Sequence, residues 1–431
     1  MKVAQETELQ GYADLHADRL IEILRDLVRL PSVNNAPVGN EWACQQYVAS
    51  FLRNIGWNAV QYLPTDAPGI LEHPMYWRGR EYEKRPNVAA VRKGSGGGRS
   101  LILSGHVDTV PVGEGDWKYP PFAAEREGNR IYGRGAVDMK CGVATNLFVA
   151  EALAETGVRL AGDLTIETVV DEEFGGVNGT LAGRLMGYTA DAAVISEPSF
   201  LRICAAQRGG RTVDILFRAP NGGILSGESA GVAEQLRIFL GEVGRLEKAR
   251  LEGVRVHPMY AHLANPVPVT IARIHTAAWG TSEPPNTPTI CRVQLFWQAM
   301  PGETVEAIDR EFLAWFDGMV NAHPEAFQVK PELEYPIRWL PGSAIDPREP
   351  IVRELSDAAV STLGTTPLVQ GIEGPCDMYV FHEFGIPAVL WGARGANLHQ
   401  ADEYVEIDSI VDAAKALLTF IPRWCGEGVK P

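Results

Sequence analysis

Leu101-Ile-Leu-Ser-Gly-His106-Val-Asp108-Thr-Val-Pro111 joins a short apolar run to two residues able to bind cations, at the end of the run where a strand would stop. Apolar runs of this length, bounded by turn residues, read as strands buried on both faces of an α/β sheet. The arrangement recurs: Leu164 to Val170 runs into Asp171, Ala192 to Ile195 into Glu197, and Pro387 to Leu390 leads to the loop of His399. Ligands in open α/β sheets sit beyond the carboxyl ends of the strands, so the polar residues gathered there mark where chemistry belongs.

Outward from these runs the pattern changes twice. Upstream, residues 13–29 place Leu15, Leu20, Ile21, Leu24, Leu27 and Val28 at helical spacing, and Pro31 ends the helix. Residues 92–100 (RKGSGGGRS) are glycine-rich but lack the Lys-Ser/Thr ending of a phosphate loop, so they read as a strand connection. Between about 206 and 325 the strand-to-acid pattern pauses. There Thr212 to Phe217, 267–276 and 289–299 read as strands and 229–247 and 303–320 as helices, the last with Val305, Ile308, Phe312, Trp315 and Met319 on one face. The simplest organisation is an α/β domain of residues 1–205 and 326–431 carrying an inserted α+β domain of 206–325.

Composition narrows the function classes. The 431 residues are 45% apolar and 22% charged, which is globular, and 39 basic against 54 acidic residues give a net charge of −15. That excess repels phosphate backbones and acidic lipid, so nucleic acid and membrane are poor partners and metal cations better ones. The six cysteines are scattered without a CxxC pair, and no apolar leader or 18-residue apolar run occurs. A cytoplasmic protein with reduced thiols is the expectation.

Five segments can do chemistry. His106 and Asp108 form H-x-D, a spacing that sends both side chains to one side of an extended segment. Asp138 stands in Gly133-Arg-Gly-Ala-Val-Asp-Met-Lys-Cys-Gly142 at the entry of a helix, where it would also serve as an N-cap. Asp171-Glu172-Glu173 and Glu197 follow strands, and His399 lies in a C-terminal loop. Adjacent carboxylates repel, and a divalent ion is the usual remedy when they converge in a cleft. A competing motif, Gly227-Glu-Ser229-Ala-Gly231, matches a serine-hydrolase elbow with Asp377 and His399 downstream. It follows turn residues rather than a strand, so a helix N-terminus is the preferred reading.

GHVDTVP (105–111), GRGAVDMKCG (133–142), DEEFGG (171–176), SEP (196–198) and HQADEYV (399–405) together resemble the zinc-dependent metallopeptidase and amidohydrolase family. That family includes acetylornithine deacetylase, succinyl-diaminopimelate desuccinylase, glutamate carboxypeptidase and aminoacylase, and the likeness covers nearly the whole chain. It implies a mixed-sheet catalytic domain of phosphorylase/hydrolase-like type with an inserted ferredoxin-like domain acting as lid and dimer interface. It also implies two divalent metal ions bridged by Asp138, about 3.5 Å apart as in two-metal sites. His106 and Glu197 would complete one ion, and Glu173 and His399 the other. Glu172 would be the general base and Asp108 the residue orienting His106. Mixed carboxylate and imidazole ligation suits zinc, and also cobalt or manganese.

The chain departs from this pattern where substrate is recognised. No histidine follows the first insert strand, where Arg218-Ala-Pro-Asn-Gly-Gly223 stands, leaving His257, His262 or His275 as substitutes. No arginine precedes Pro301-Gly-Glu303, so Arg394 and Asn286 are the expected substrate contacts, and Cys141 stands where glycine is common. The expected activity is two-metal hydrolysis of a C–N bond, deacylating a small N-acyl amino acid or related amide. Alternatives are an exopeptidase or dipeptidase, and hydrolysis of an aromatic amine, which would suit Trp279, Phe296 and Trp297 in the lid. A silent binding protein is disfavoured because every proposed ligand and Glu172 are present.

Overall fold

The four apolar runs that end in acids or histidine form the parallel centre of one sheet. Leu101–His106 lies between Ala192–Ile195 and Leu164–Val169, parallel to both, and Ala388–Leu390 runs parallel on the far side of Ala192–Ile195. Antiparallel strands flank this centre: Asn87–Arg92 and then Ala59–Tyr62 on one side, Ile203–Gln207 on the other. Every residue of Leu101–His106, Leu164–Val169 and Ala192–Ile195 is buried, as parallel strands covered on both faces require. Their carboxyl ends converge on one region.

This computed structural model describes residues 3–219, 231–276 and 288–426. The chain divides into one unit of residues 1–206, 344–372 and 376–431 and a second of 207–343 and 373–375. Among the described residues no helix is long and apolar enough to cross a membrane, and none of the six cysteines is disulfide-bonded.

In the first unit Cys141–Glu155 is buried on nearly every side, and Ala17–Val28 buries one face through Leu20, Ile21, Leu24, Leu27 and Val28. The expected helix over 13–29 is two helices, Val3–Leu15 and Ala17–Val28, parted at His16. The break turns Leu15 outward, 81% exposed, although its spacing placed it on the apolar face. The glycine-rich 92–100 segment is a connection whose glycines answer to packing. A Cβ at Gly98 would stand 1.9 Å from the carbonyl oxygen of Cys425, and one at Gly94 2.2 Å from that of Ala161.

The second unit has the β-α-β-β-α-β order of a ferredoxin-like fold. Its strands are Gly209–Arg218, Val269–His275, Ile290–Ala299 and Glu332–Glu334, and its helices Val232–Gly253 and Val305–Ala322. The sheet is antiparallel, with Ile290–Ala299 and Gly209–Arg218 central. Alternation along Ile290–Ala299 sends Cys291, Val293, Leu295 and Trp297 into a core with Phe239, Ile308, Phe312 and Phe316. Trp297 stacks on Phe312 at 4.9 Å, so this aromatic belongs to the core rather than to a substrate face, while Phe296 sits half-buried out of phase. Glu332–Glu334, a strand the sequence does not announce, pairs with Gly209–Arg218 and keeps the chain in this unit past 325. Trp279, Asn286 and Ser229 lie outside the described residues, and Gly231 precedes Val232–Gly253 as its N-cap.

Candidate active site

His106 closes its strand with a ring 1% exposed. Its Nδ1 lies 2.9 Å from the carbonyl oxygen of Asp108, a contact only a protonated Nδ1 can make. In the neutral ring Nε2 then carries the lone pair, aimed the other way. Around it stand Asp138 Oδ1 at 3.3 Å, Glu197 Oε1 at 3.4 Å and Glu172 Oε2 at 3.9 Å. His399 brings its Nε2 to 3.2 Å from Asp138 Oδ2 and 2.9 Å from Glu173 Oε2. The two oxygens of Asp138 therefore face two different imidazoles.

Asp138 reaches this position because the backbone is not yet helical there, with φ −116° and ψ 96°. The helix Cys141–Glu155 has Lys140 as its N-cap residue and no side-chain cap, so Asp138 does not serve as one. Glu172 and Glu173 likewise stand outside regular structure. The strand stops at Val169, and Asp171, at φ +70°, turns the chain.

Asp108 differs from expectation. Its carbonyl, not its carboxylate, holds His106; the carboxylate accepts the backbone N–H groups of Glu172 and Glu173, both at 3.1 Å, and the Asn34 amide at 2.9 Å. Behind it the buried Asp171 accepts from Arg80, from Tyr82 at 2.7 Å and from Asn34 at 3.1 Å, while Arg85 pairs with Glu41 at 2.7 Å. No periodicity or motif singles out Asn34, Arg80 or Tyr82.

Two further acids join the cluster: Glu403, to which sequence reading gave no role although it lies in HQADEYV (399–405), and Asp377, which it raised only in the serine-hydrolase alternative. Glu403 accepts from the backbones of Val137 and Asp138 and pairs with Arg134 at 2.6 Å. Asp377 lines the recess beside His106, Glu172 and Glu197, one oxygen taking the Thr180 hydroxyl and the other unpartnered. Arg394 is not among the residues brought together: its guanidinium pairs with Glu406 at 3.0 Å and Asp408 at 3.6 Å. His257 accepts from the Met259 backbone at 3.4 Å, and His262 and His275 are exposed. Cys141 is buried and donates to the Val137 carbonyl at 3.1 Å, so it packs beneath the cluster.

The electrostatics are those of acids held together away from water. Burial pushes Glu172 and Glu197 up, and burial with the nearby Asp138 charge lifts Glu173 to about 7. Burial lifts Asp377 also to about 7. Burial opposes charge on both histidines, yet the carboxylates outweigh it, raising His106 and taking His399 to about 11. Asp138, despite burial, is held low by the two imidazoles. His106 Nε2 is buried without a hydrogen-bond partner. His106, Glu172 and Glu197, and again His106, Asp138 and Glu173, each offer ligand atoms within 4.8 Å of one another. An orphaned imidazole nitrogen facing converging carboxylates is a donor set that fits divalent cations.

The model of peptidase family M20/M25/M40 matches residues 102–423. The N-formyl-4-amino-5-aminomethyl-2-methylpyrimidine deformylase of Halalkalibacterium halodurans is 29% identical, covering 98% of each chain. The enzyme of that name from Bacillus subtilis is 26% identical, covering 97% of each. Among solved structures, human carnosine dipeptidase 1 superposes with a TM-score of 0.76 at 15% identity, over 97% of this chain and 98% of its own. A protein of Bacillus subtilis described as a dinuclear metal binding peptidase of the M20 family superposes at 0.58 and 17% identity, over 96% and 99%.

Proposed function

This chain belongs to peptidase family M20/M25/M40 and is a hydrolase of amide carbon–nitrogen bonds, and from that premise we propose that it removes a formyl or similarly short acyl group from a small heteroaromatic amine. The observation that carries the two-ion part of this reading is the carboxylate of Asp138, whose oxygens lie 3.3 and 3.2 Å from the Nε2 atoms of two imidazoles. The substrate part is supported by the two full-length relatives, which carry the name of N-formyl aminopyrimidine deformylases.

His106, Asp138 and Glu197 would hold one divalent ion, and Asp138, Glu173 and His399 the other, with zinc the first choice and cobalt or manganese also suited. When bound, such ions supply Lewis acidity toward an amide carbonyl and water. The chain's own groups do the rest. Glu172 takes a proton from the attacking water as its oxygen bonds to the acyl carbon. It returns that proton to the leaving nitrogen as the C–N bond breaks, so that R–NH–CHO and water give an amine and formate. Met139, Val169 and Ile195 line the recess and keep it dry, which raises the basicity of Glu172. Asp108 holds the turn that presents it.

Purified protein loaded with zinc or cobalt should release formate and amine in equal amounts from N-formyl aminomethylpyrimidine. Replacing Glu172 by Gln should leave metal bound and lower kcat by about 10²–10⁴-fold. Hydrolysis of dipeptides or N-acyl amino acids without formate release would overturn the substrate assignment, and an E172Q variant with full turnover the role of Glu172. The proposal includes a cytosolic homodimer formed through the second unit, which light scattering at 47.0 kDa would contradict.

A further inference from the structure

The two halves of the cluster are supported differently. His106 and Glu197 come from neighbouring parallel strands paired in a buried ladder. His399 comes from the loop between the short strands Gly395–Ala396 and Tyr404–Glu406. In that loop Asn397, His399 and Asp402 all adopt the left-handed backbone, at φ +61°, +61° and +55°. The His399 side chain is 50% exposed, and among the described residues its ion pairs are with Asp138 and Glu173. Non-glycine residues hold such conformations only where the surroundings impose them.

Glu403 supplies that constraint. Its side chain is 1% exposed. One carboxylate oxygen accepts the N–H of Val137 at 3.1 Å and of Asp138 at 3.2 Å, and the other takes the Arg134 guanidinium at 2.6 Å. Its main-chain oxygen accepts the Gly133 N–H at 2.9 Å. Tyr404 next to it pairs with Tyr132 in a small antiparallel sheet. A residue four positions beyond His399 is thus bonded, by side chain and by main chain, to both ends of the turn that presents Asp138.

We propose that Glu403 is a positioning residue that sets the spacing of His399 from Asp138, and so the affinity of the chain for the cation held by Asp138, Glu173 and His399. This rests on the two-ion reading above. Arg134, lying over the Trp117 ring at 5.2 Å, neutralises the buried carboxylate without touching the cluster.

The test is calorimetric titration of the metal-free protein with cobalt(II), with thermal melting alongside, for the wild type, E403A, E403Q, R134M and H399A. The wild type should bind two ions, and H399A identifies the step belonging to the second. In E403A that step should weaken by about 10–100-fold, the range for lost outer-shell support, while the first stays unchanged. E403Q, which keeps an acceptor for the two amides, should recover most of the loss. R134M breaks the same ion pair but not the amide contacts, and should lower the melting temperature without separating the two affinities. Wild-type titration of E403A, or equal weakening of both ions in E403A and R134M, would overturn the proposal. A wild type that binds fewer than two ions would instead overturn the reading on which it rests.

Discussion

Replacing Gly142 with alanine pits two effects of opposite sign against each other. Gly142 lies in the first turn of Cys141–Glu155, and alanine in a helix is favoured over glycine by about 1 kcal/mol, so propensity alone predicts a more stable protein. Packing predicts the reverse. A Cβ at 142 would stand 1.9 Å from the carbonyl oxygen of Ser196, where ordinary contact begins at 3.4 Å, so 3.4 − 1.9 = 1.5 Å must be found. Ser196 cannot easily give way: its N–H donates to the Ser104 carbonyl at 3.0 Å and its hydroxyl to Asn146 at 2.7 Å. The helix must therefore move, at an overpacking cost of about 1–3 kcal/mol, which exceeds or cancels the propensity gain.

The same displacement reaches the cluster. Asp138 precedes the shifted helix and Glu197 follows Ser196, and these are the acids at 3.3 and 3.4 Å from His106 Nε2. Ligand distances near 2.0–2.2 Å leave little tolerance for a shift comparable to the required 1.5 Å. Scanning calorimetry on the metal-free variant should show a melting temperature unchanged to lower by up to roughly 4 °C, the net of these terms spread over a unit of this size. Equilibrium dialysis should show the ion shared by His106 and Glu197 held more weakly. A G142A protein that melts clearly above the wild type and binds both ions with wild-type affinity would refute the reasoning.

Metal binding should release protons. The carboxylates hold His399 protonated up to about 11 and raise His106, so cations compete with those protons and affinity should rise by about tenfold per pH unit for each proton displaced. Calorimetry in buffers of different ionisation enthalpy at neutral pH should find at least one proton released per protein, and none released would contradict the assignment. For the metal-free protein the sign is the opposite: the His399 contribution to stability is fully present below the unfolded value near 6.5 and is lost as pH rises through about 11. Replacing Asn34 by Leu strips donors from Asp108 and Asp171 and an acceptor from Arg80, each of which keeps other partners, at about 1.5–3 kcal/mol for each charged hydrogen bond lost. Turnover per folded molecule should fall while both ions stay bound, and unchanged turnover would mean that Asn34 does not set the Glu172–Glu173 turn.

The sheet and the clustering of acids and histidines at its strand ends were legible because each rests on a local signal. An apolar run stopped by an acid or histidine marks a buried strand and its functional end together, and the four runs so marked are the parallel centre. What failed was geometry inferred from spacing. H-x-D puts two side chains on one face only while the chain stays extended, and the strand ends at His106, so the Asp108 carboxylate faces the Glu172–Glu173 turn instead. Trp297 was readable in retrospect, since it stands in phase with Val293 and Leu295, whereas Phe296 does not. Asn34, Arg80 and Tyr82 had no such signal, and Glu403, although inside HQADEYV (399–405), had none that fixed its role. Asn34 meets Asp171 across 137 residues and Glu403 meets Val137 across 266, contacts that only the tertiary fold creates.

Those long-range contacts explain how so many acids share one buried place. Behind the turn, Asp171 and Glu41 face Arg80 and Arg85, guanidinium groups that stay charged at any physiological pH. In front of it, among the described residues, Asp138, Glu172, Glu173 and Glu197 pair with two imidazoles, whose charge depends on bound protons. The rear layer is permanently compensated, so it can hold the turn whether or not ions are present. The front layer is compensated by protons or by cations, and exchanging one for the other changes its charge without disturbing what holds it. A turn fixed from behind by arginines and left short of positive charge in front is a frame built to receive metal ions.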